Sequence, residues 1–229
     1  MKKNQLSVVI SVFNGEKELD DCLRSVSFAD EIVIVNNSST DKTEDVARKY
    51  TDKIFTRPNN PMLNVNKNFG FSKATGNWIL CLDADERVTP ELKKEIQSTI
   101  NNQQSTINGF WIPRKNIIFG KWIEHTGWYP DHQLRLFRNG EGKFPEKHVH
   151  EMIKVIGEMD YLKSNLLHYN YTTVSQFLTK LNIYVSNEAE QLLSNGYKFM
   201  WQDAIRFPVK EFLSRFFARE GYKDGLHGL

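Results

Sequence analysis

The chain carries only two cysteines in 229 residues, Cys22 and Cys81. They are too few and too far apart for a disulfide framework or a cysteine-rich zinc site. Cys81 sits in an apolar, strand-like run, so buried thiols in a reducing compartment are expected. Long hydrophobic runs are also missing, and none approaches the roughly 18 residues needed to cross a bilayer. The run after Lys2 and Lys3, Leu6 to Phe13, is short and holds Ser7 and Ser11. It passes into Asn14-Gly15-Glu16 without a small-residue cleavage pattern, so a buried first strand is expected, not a signal peptide. A cytoplasmic protein follows as the expectation, one that can still lie on the inner face of a membrane. Excess charge is absent too: the net charge is +2, and no basic run tracks phosphates, which argues against nucleic acid. There is no internal repeat and no low-complexity segment. What is present is ordinary for a globular chain, 40% hydrophobic and 25% charged residues, and long enough for one α/β domain or two small ones.

Three apolar runs organise the first hundred residues: Leu6 to Val12, Glu31 to Val35, and Trp78 to Leu82. None alternates strictly, as expected for parallel strands buried on both faces. Between them, Glu16 to Val26 places Leu19, Cys22, Leu23 and Val26 on one helical stripe. Ser39 to Tyr50 opens on a Ser/Thr/Asp cluster suited to capping. Alternating strands and helices predict βαβ units and a doubly wound, mostly parallel sheet. Ligands bind such sheets beyond the carboxyl ends of the strands. Here those ends are Phe13-Asn14-Gly15, Asn36-Asn37-Ser38-Ser39 and Asp83-Ala84-Asp85-Glu86.

The last of these is the chemical centre. A buried strand runs straight into three carboxylates, and in extended backbone Asp83 and Asp85 would face one small volume. Converging carboxylates repel unless a hard cation or a ligand proton offsets them. Mg²⁺ or Mn²⁺ held by one or two carboxylates plus substrate phosphates fits that pattern. The plainer alternative is an acidic strand-to-helix loop, with Glu86 and Thr89 capping the helix that begins at Pro90.

The order and spacing of Leu6 to Asn14, Glu31 to Asp41 and Trp78 to Glu86, with Asn68, Gly70, Ala74 and Gly76-Asn77-Trp78, resemble family 2 glycosyltransferases. Gly127-Trp128-Tyr129-Pro130-Asp131-His132-Gln133-Leu134-Arg135-Leu136-Phe137 is similar to the subgroup that builds lipopolysaccharide core or surface glycans, typically glucosyltransferases. The resemblance covers nearly the whole chain. It implies a GT-A fold, a nucleotide-diphosphate sugar donor such as a UDP-hexose, a divalent metal at the Asp-x-Asp turn and usually inversion at the anomeric carbon. It also implies a nucleotide lying against Val12, Phe13, Asn14, Asn36 and Asn37, with Asp83 and Ala84 beside it, and a metal held by Asp85 and Asp83. Asn36 and Asn37 stand where the family commonly has an aspartate pair, which loosens the expectation of donor identity.

Displacing a nucleotide diphosphate requires a group to take the proton of the incoming hydroxyl. Asp131, following Pro130 in an aromatic turn, is the candidate base; ordering the turn or pairing with Arg135 is its structural alternative. His148 and His150, with His168, offer a metal ligand or phosphate contact, which the resemblance supports for His150. Lys67 and Arg135 are candidate phosphate partners, with a solvated surface position as the alternative. Trp128 and Tyr129 suit a sugar acceptor, whereas Trp111 and Trp122 equally suit a core.

Residues 1–100 are expected to form the nucleotide-sugar half of a GT-A domain, and 101–172 a mixed acceptor half with short strands at Gly109 to Pro113, Asn116 to Gly120 and Gln133 to Arg138. Residues 173–229 are expected to be helical. Thr173 to Leu193 would place Phe177, Leu178, Leu181, Tyr184, Val185, Leu192 and Leu193 on its apolar side. From Trp201 to Phe217 an aromatic stripe with Arg206, Lys210, Arg215 and Arg219 suits a membrane surface, a docked helix or a homodimer contact, with Pro208 starting or kinking a helix. In the resembling subgroup Gly221 to Gly228 precedes more apolar helix, so a short or truncated chain is expected. Two rival readings stand beside a glycosyltransferase with a glycan or lipid-linked acceptor. One is a sugar nucleotidyltransferase, which would need a glycine-rich basic loop where Phe13 to Glu18 has one glycine and two acids. The other is a catalytically silent carbohydrate- or nucleotide-binding module.

Overall fold

The computed structural model describes residues 5–60, 62–102, 104–146 and 151–228, without the side chains of Ile183, Tyr184 and Asn187. The expectations for His148, His150 and the Tyr184 side chain therefore lie outside the described residues. In chain order the elements are β1 (Leu6–Val12), α1 (Leu19–Ser25), β2 (Glu31–Asn36), α2 (Thr43–Ala47), β3 (Ile54–Thr56), α3 (Leu63–Lys73), β4 (Trp78–Leu82), β5 (Glu86–Val88) and α4 (Pro90–Ile100). There follow β6 (Ile107–Ile118), β7 (Lys121–Trp122), β8 (Asp131–Arg138), β9 (Gly142–Lys143), β10 (Lys154–Val155), β11 (Glu158–Tyr161), β12 (Leu166–Tyr171), α5 (Val174–Ser194) and α6 (Asp203–Phe212).

The main sheet has the order β3-β2-β1-β4-β8-β6-β12-β5. β1 pairs in parallel with both β2 and β4, and β3 joins β2 in parallel, while β8 lies antiparallel to β4. The chain thus winds outward from β1 to β3 and then returns to the other side of β1. That reversal leaves a crevice beyond the carboxyl ends of β1 and β4, the place where doubly wound sheets bind ligands.

The strands lack strict polar alternation because both of their faces are covered. Val8, Ile10, Val12, Leu80 and Leu82 pack with Leu19, Leu23, Leu92 and Ile96 of α1 and α4. Val9, Val33, Ile79 and Cys81 pack on the opposite face with Phe71 of α3 and with Leu134 and Phe137 of β8. Gly70 lets α3 lie close, since a Cβ there would stand 2.5 Å from Val9 Cγ1.

Both early helices are shorter than their patterns predict. The capping-type residues ahead of them bond between the two turns instead: Gly15 N donates to Thr43 Oγ1 (2.8 Å), Thr40 N to Asn14 Oδ1 (2.8 Å) and Lys42 N to Glu16 Oε2 (3.0 Å). Such local side-chain bonds compete with helix extension. α4 starts with Pro90 at its first position and Thr89 Oγ1 accepting from Leu92 N (3.1 Å). Glu86 does not share that capping; it lies in β5. The two short strands expected around Pro113 are one, β6, because the fixed φ of proline is compatible with extended backbone.

By compactness the chain forms two units, Met1–Arg114 with His132–Leu167, and Lys115–Asp131 with His168–Leu229. In the second unit Ile118, Ile123 and Tyr171 form a small core with Trp128 and Phe177 against it. α5 spans nearly the expected range, with Thr173 outside it as the cap whose side chain accepts from Gln176 N. The apolar stripe of α5 is not buried, however: Leu178, Val185 and Leu193 are all more than half exposed. α6 continues through Pro208 and gives way to a π-helical turn at Leu213–Ala218. No described helix is long and apolar enough to cross a membrane.

Candidate active site

In the first unit the acidic turn begins where β4 ends. Asp83 continues the parity of Ile79 and Cys81, which directs it to the face that α3 covers, where side chains of the neighbouring strand β8 also project. Lys67 of α3 contacts Asp83 Oδ1 at 2.5 Å, and Arg135 of β8 contacts Asp83 Oδ2 at 2.5 Å. Arg135 also reaches Glu86 Oε1 at 2.7 Å, and Arg114 approaches the same oxygen at 3.1 Å. Glu86, fully buried, accepts the Asp83 N–H at 2.9 Å through its other oxygen. Two carboxylates and three cations therefore form one network. The repulsion between Asp83 and Glu86 is offset here by Lys67, Arg114 and Arg135.

This network sets the charges. Burial raises the Asp83 pKa, but the charges of Arg135 and Lys67 outweigh it and hold the carboxyl well below its usual range. Burial works against the charged forms of Lys67 and Arg135, yet Asp83 beside both raises their pKa values. Burial pushes the Cys81 thiol up to about 11, so it stays protonated and unreactive at neutral pH.

The chain leaves the strand at Asp83, with Glu86 N donating to Asp83 O at 3.0 Å across Ala84 and Asp85. The alternation that would aim Asp83 and Asp85 at one point therefore stops at Asp83. Among the described residues no group of three His, Cys, Asp or Glu could hold a metal ion by itself.

A cleft of about 350 Å³ opens on the network, lined by Lys67, Asp83, Arg114 and Arg135 and walled by Leu63 and Phe144. Arg135 is 5% exposed, and its Nε is buried without a hydrogen-bond partner among the described residues. Lys67, far from being a solvated surface residue, is part of this cleft.

At the end of β1, Phe13 is 45% exposed, whereas Asn36 and Asn37 are 3% and 2% exposed. Both amides are engaged internally. Asn36 accepts from Ser39 N (2.9 Å) and donates to Glu44 (3.1 Å), and Asn37 Oδ1 accepts from Asn66 (2.8 Å). The sequence alone gave no sign that these amides serve the fold of the turn.

In the second unit Asp131 opens β8. Asn116 of β6, fully buried, donates through Nδ2 to Asp131 Oδ2 (3.2 Å) and to Trp128 O (3.0 Å). Its Oδ1 lies 2.6 Å from Nδ1 of the buried His168. Sequence reasoning missed Asn116, and it is this amide that His168 meets among the described residues. Trp128 packs on the small core, and Tyr129 meets Trp122 edge to face at 5.3 Å, with Lys115 4.0 Å over the Trp122 ring. Arg135 belongs to the first unit's network and pairs there with Asp83 and Glu86.

Comparison with known proteins gives this geometry its setting. The model of the family "Glycosyl transferase family 2" matches residues 7–157. LpsC of Rhizobium meliloti, a lipopolysaccharide core biosynthesis glycosyltransferase, is 27% identical over 233 residues, which cover 99% of this chain and 86% of LpsC. An uncharacterized glycosyltransferase of Rickettsia typhi is 27% identical over 241 residues, covering 100% of this chain and 81% of its own. Among solved structures, Staphylococcus aureus TarS 1-349 in complex with UDP aligns at a TM-score of 0.53 and 18% identity, over 76% of this chain and 62% of that one. A likeness at that identity is one of fold, and the fold is GT-A. The family match runs through β1, β2, β4 and the acidic turn and takes in well over half of the sequence, so the chain belongs to glycosyl transferase family 2.

Proposed function

We propose that the enzyme moves a hexose from a UDP-sugar, with inversion, to a hydroxyl of a glycan or lipid-linked acceptor in lipopolysaccharide or surface-polysaccharide synthesis. The observation that carries this reading is the cationic cleft beside the acidic turn. Lys67, Arg114 and Arg135 gather around the cleft at the carboxyl end of β4. A nucleotide diphosphate brings the oxygens that such donors bind. Phe13, exposed at the end of β1, offers a face for the base, with the Val12 to Asn14 backbone and Ala84 alongside.

A divalent ion fits this donor set if a carboxylate and the donor's own phosphates share it. Asp85, the second acid of the Asp-x-Asp turn, is the residue to hold Mn²⁺ or Mg²⁺ with Asp83 beside it; His150 would add to it. Such an ion, when bound, supplies charge neutralisation at the leaving diphosphate. Asp131, held by Asn116, takes the proton of the attacking hydroxyl, and Trp128 and Tyr129 face the acceptor sugar. The relationship to LpsC supports a surface-glycan acceptor. Exposed Trp201, Ile205, Val209 and Phe212, interleaved with Arg206 and Lys210, favour an anionic membrane surface over a second copy of the chain.

The test is incubation of the chain with a panel of nucleotide sugars, a glycan acceptor and Mn²⁺, beside Asp85→Ala. Transfer by the wild type, and loss of metal-dependent donor binding in the variant, are expected. Pyrophosphate release from UTP would point to a nucleotidyltransferase instead, and binding without turnover to a silent module.

A further inference from the structure

The terminal stretch Gly221-Tyr222-Lys223-Asp224-Gly225-Leu226-His227-Gly228 has no part in the chemistry above, yet it is built into the second unit. Its 3₁₀ turns break at Gly225, where φ is 65°. Asp224 is 4% exposed, and its carboxylate serves residues about a hundred positions earlier. It accepts from His125 N at 2.8 Å and from Glu124 N at 3.4 Å, and it lies 3.1 Å from His125 Nδ1. The Asp224 carbonyl accepts from Lys121 Nζ at 2.6 Å, and the Arg219 carbonyl accepts from Thr126 N at 3.0 Å. The approach is close: a Cβ on Gly221 would stand 2.6 Å from Thr126 Cγ2.

The loop so gripped is the one that leads to Asp131. Its other anchor is Asn116, whose carbonyl accepts from Ile123 N (3.0 Å) and whose amide holds Trp128 O and Asp131 Oδ2. Between the anchors, Trp128 N donates to His125 O at 3.0 Å, and Thr126 and Gly127 both take positive φ, 60° and 86°. A buried carboxylate is unfavourable unless hydrogen-bonded. Here its partners among the described residues, Glu124 N, His125 N and the His125 ring, belong to one loop, not to the helical segment that delivers it.

We propose that Asp224 is a positioning residue, which through Glu124 and His125 sets the 121–131 loop and with it the carboxylate of Asp131. This rests on Asp131 acting as the base. Asp224→Asn keeps the shape but turns an N–H₂ toward N–H donors. Transfer kcat is expected to fall about 10- to 100-fold, the scale set by misplacing a reacting group by about 1 Å, while donor KM stays within about twofold. Amide exchange at Glu124, His125 and Thr126 is expected to accelerate, with the first unit unchanged. Lys121→Met, which removes one tail contact from an exposed side chain, is expected to lower kcat less and to decide the matter if Asp224→Asn does not fold. In an Asp131→Asn background, Asp224→Asn should cause no further loss. Wild-type kcat in Asp224→Asn, or a parallel loss of donor binding and exchange protection throughout the chain, would overturn the proposal. Full activity of Asp131→Asn would instead remove the base assignment on which it stands.

Discussion

Glu31 begins β2, at the end of the sheet opposite the donor cleft. Its carboxylate accepts from Ser7 Oγ, Lys53 Nζ, Thr75 N (2.8 Å) and Thr75 Oγ1 (2.9 Å), and Ser7 Oγ in turn accepts from Gly76 N (2.9 Å). One side chain thereby ties together β1, β2 and the entry to β4. Burial raises its pKa, but the hydrogen bonds from Lys53, Ser7 and Thr75 outweigh it and lower the value from 4.5 to about 2. At 1.36 kcal/mol per unit, that depression is a contribution of about 3 kcal/mol to folding. The sign follows from a folded pKa below the unfolded one: the contribution is complete above about pH 4.5 and is lost as pH falls toward 2. Glu31→Gln should therefore destabilise by about 2–3 kcal/mol in urea unfolding at pH 7, since a neutral amide keeps some of the bonds. The gap between wild type and variant should close as pH falls through that window, and added salt should shrink part of it, because Lys53 is half exposed. Donor KM should not change. A gap under about 0.5 kcal/mol at neutral pH, within the range of ordinary surface substitutions, or one independent of pH, would refute the reasoning.

Other substitutions separate binding from chemistry. Arg135→Lys replaces a rigid planar guanidinium, whose Nη2 bridges Asp83 and Glu86, with a flexible point charge; donor affinity by calorimetry should weaken about tenfold, with a lower Tm as Glu86 loses a buried partner. Asn116→Ala removes a hydrogen bond to a charged acceptor worth about 1.5–3 kcal/mol, so kcat should fall at least about tenfold in a transfer assay while donor binding is retained. Gly70→Ala drives a methyl into Val9 and Val35 and should cost about 1–3 kcal/mol in urea unfolding.

The strands were legible because burial on both faces leaves a local mark. Leu6–Val12, broken only by Ser7 and Ser11, and Trp78–Leu82 are apolar runs in which alternate residues serve opposite cores, and after β4 the carboxylates begin where that burial ends. Boundaries were less legible at α1 and α2. There Asn14, Glu16 and Thr43 bond across two separate turns instead of extending the helices. The exposed stripe of α5 shows the same limit, since amphipathic spacing tells which residues share a face but not what covers it.

By itself, then, the sequence determined the βαβ winding, the polar carboxyl ends of β1, β2 and β4, and the family, all of which rest on spacing within short segments. The tertiary structure decided which charges meet. It brought Arg135 to Asp83 across 52 positions, buried Asn36 and Asn37 in their turn, set Asn116 beneath Asp131, and placed Asp224 under the 121–131 loop. These pairings depend on chain-distant strands and turns coming together, and electrostatics between residues so far apart leaves no periodicity to read.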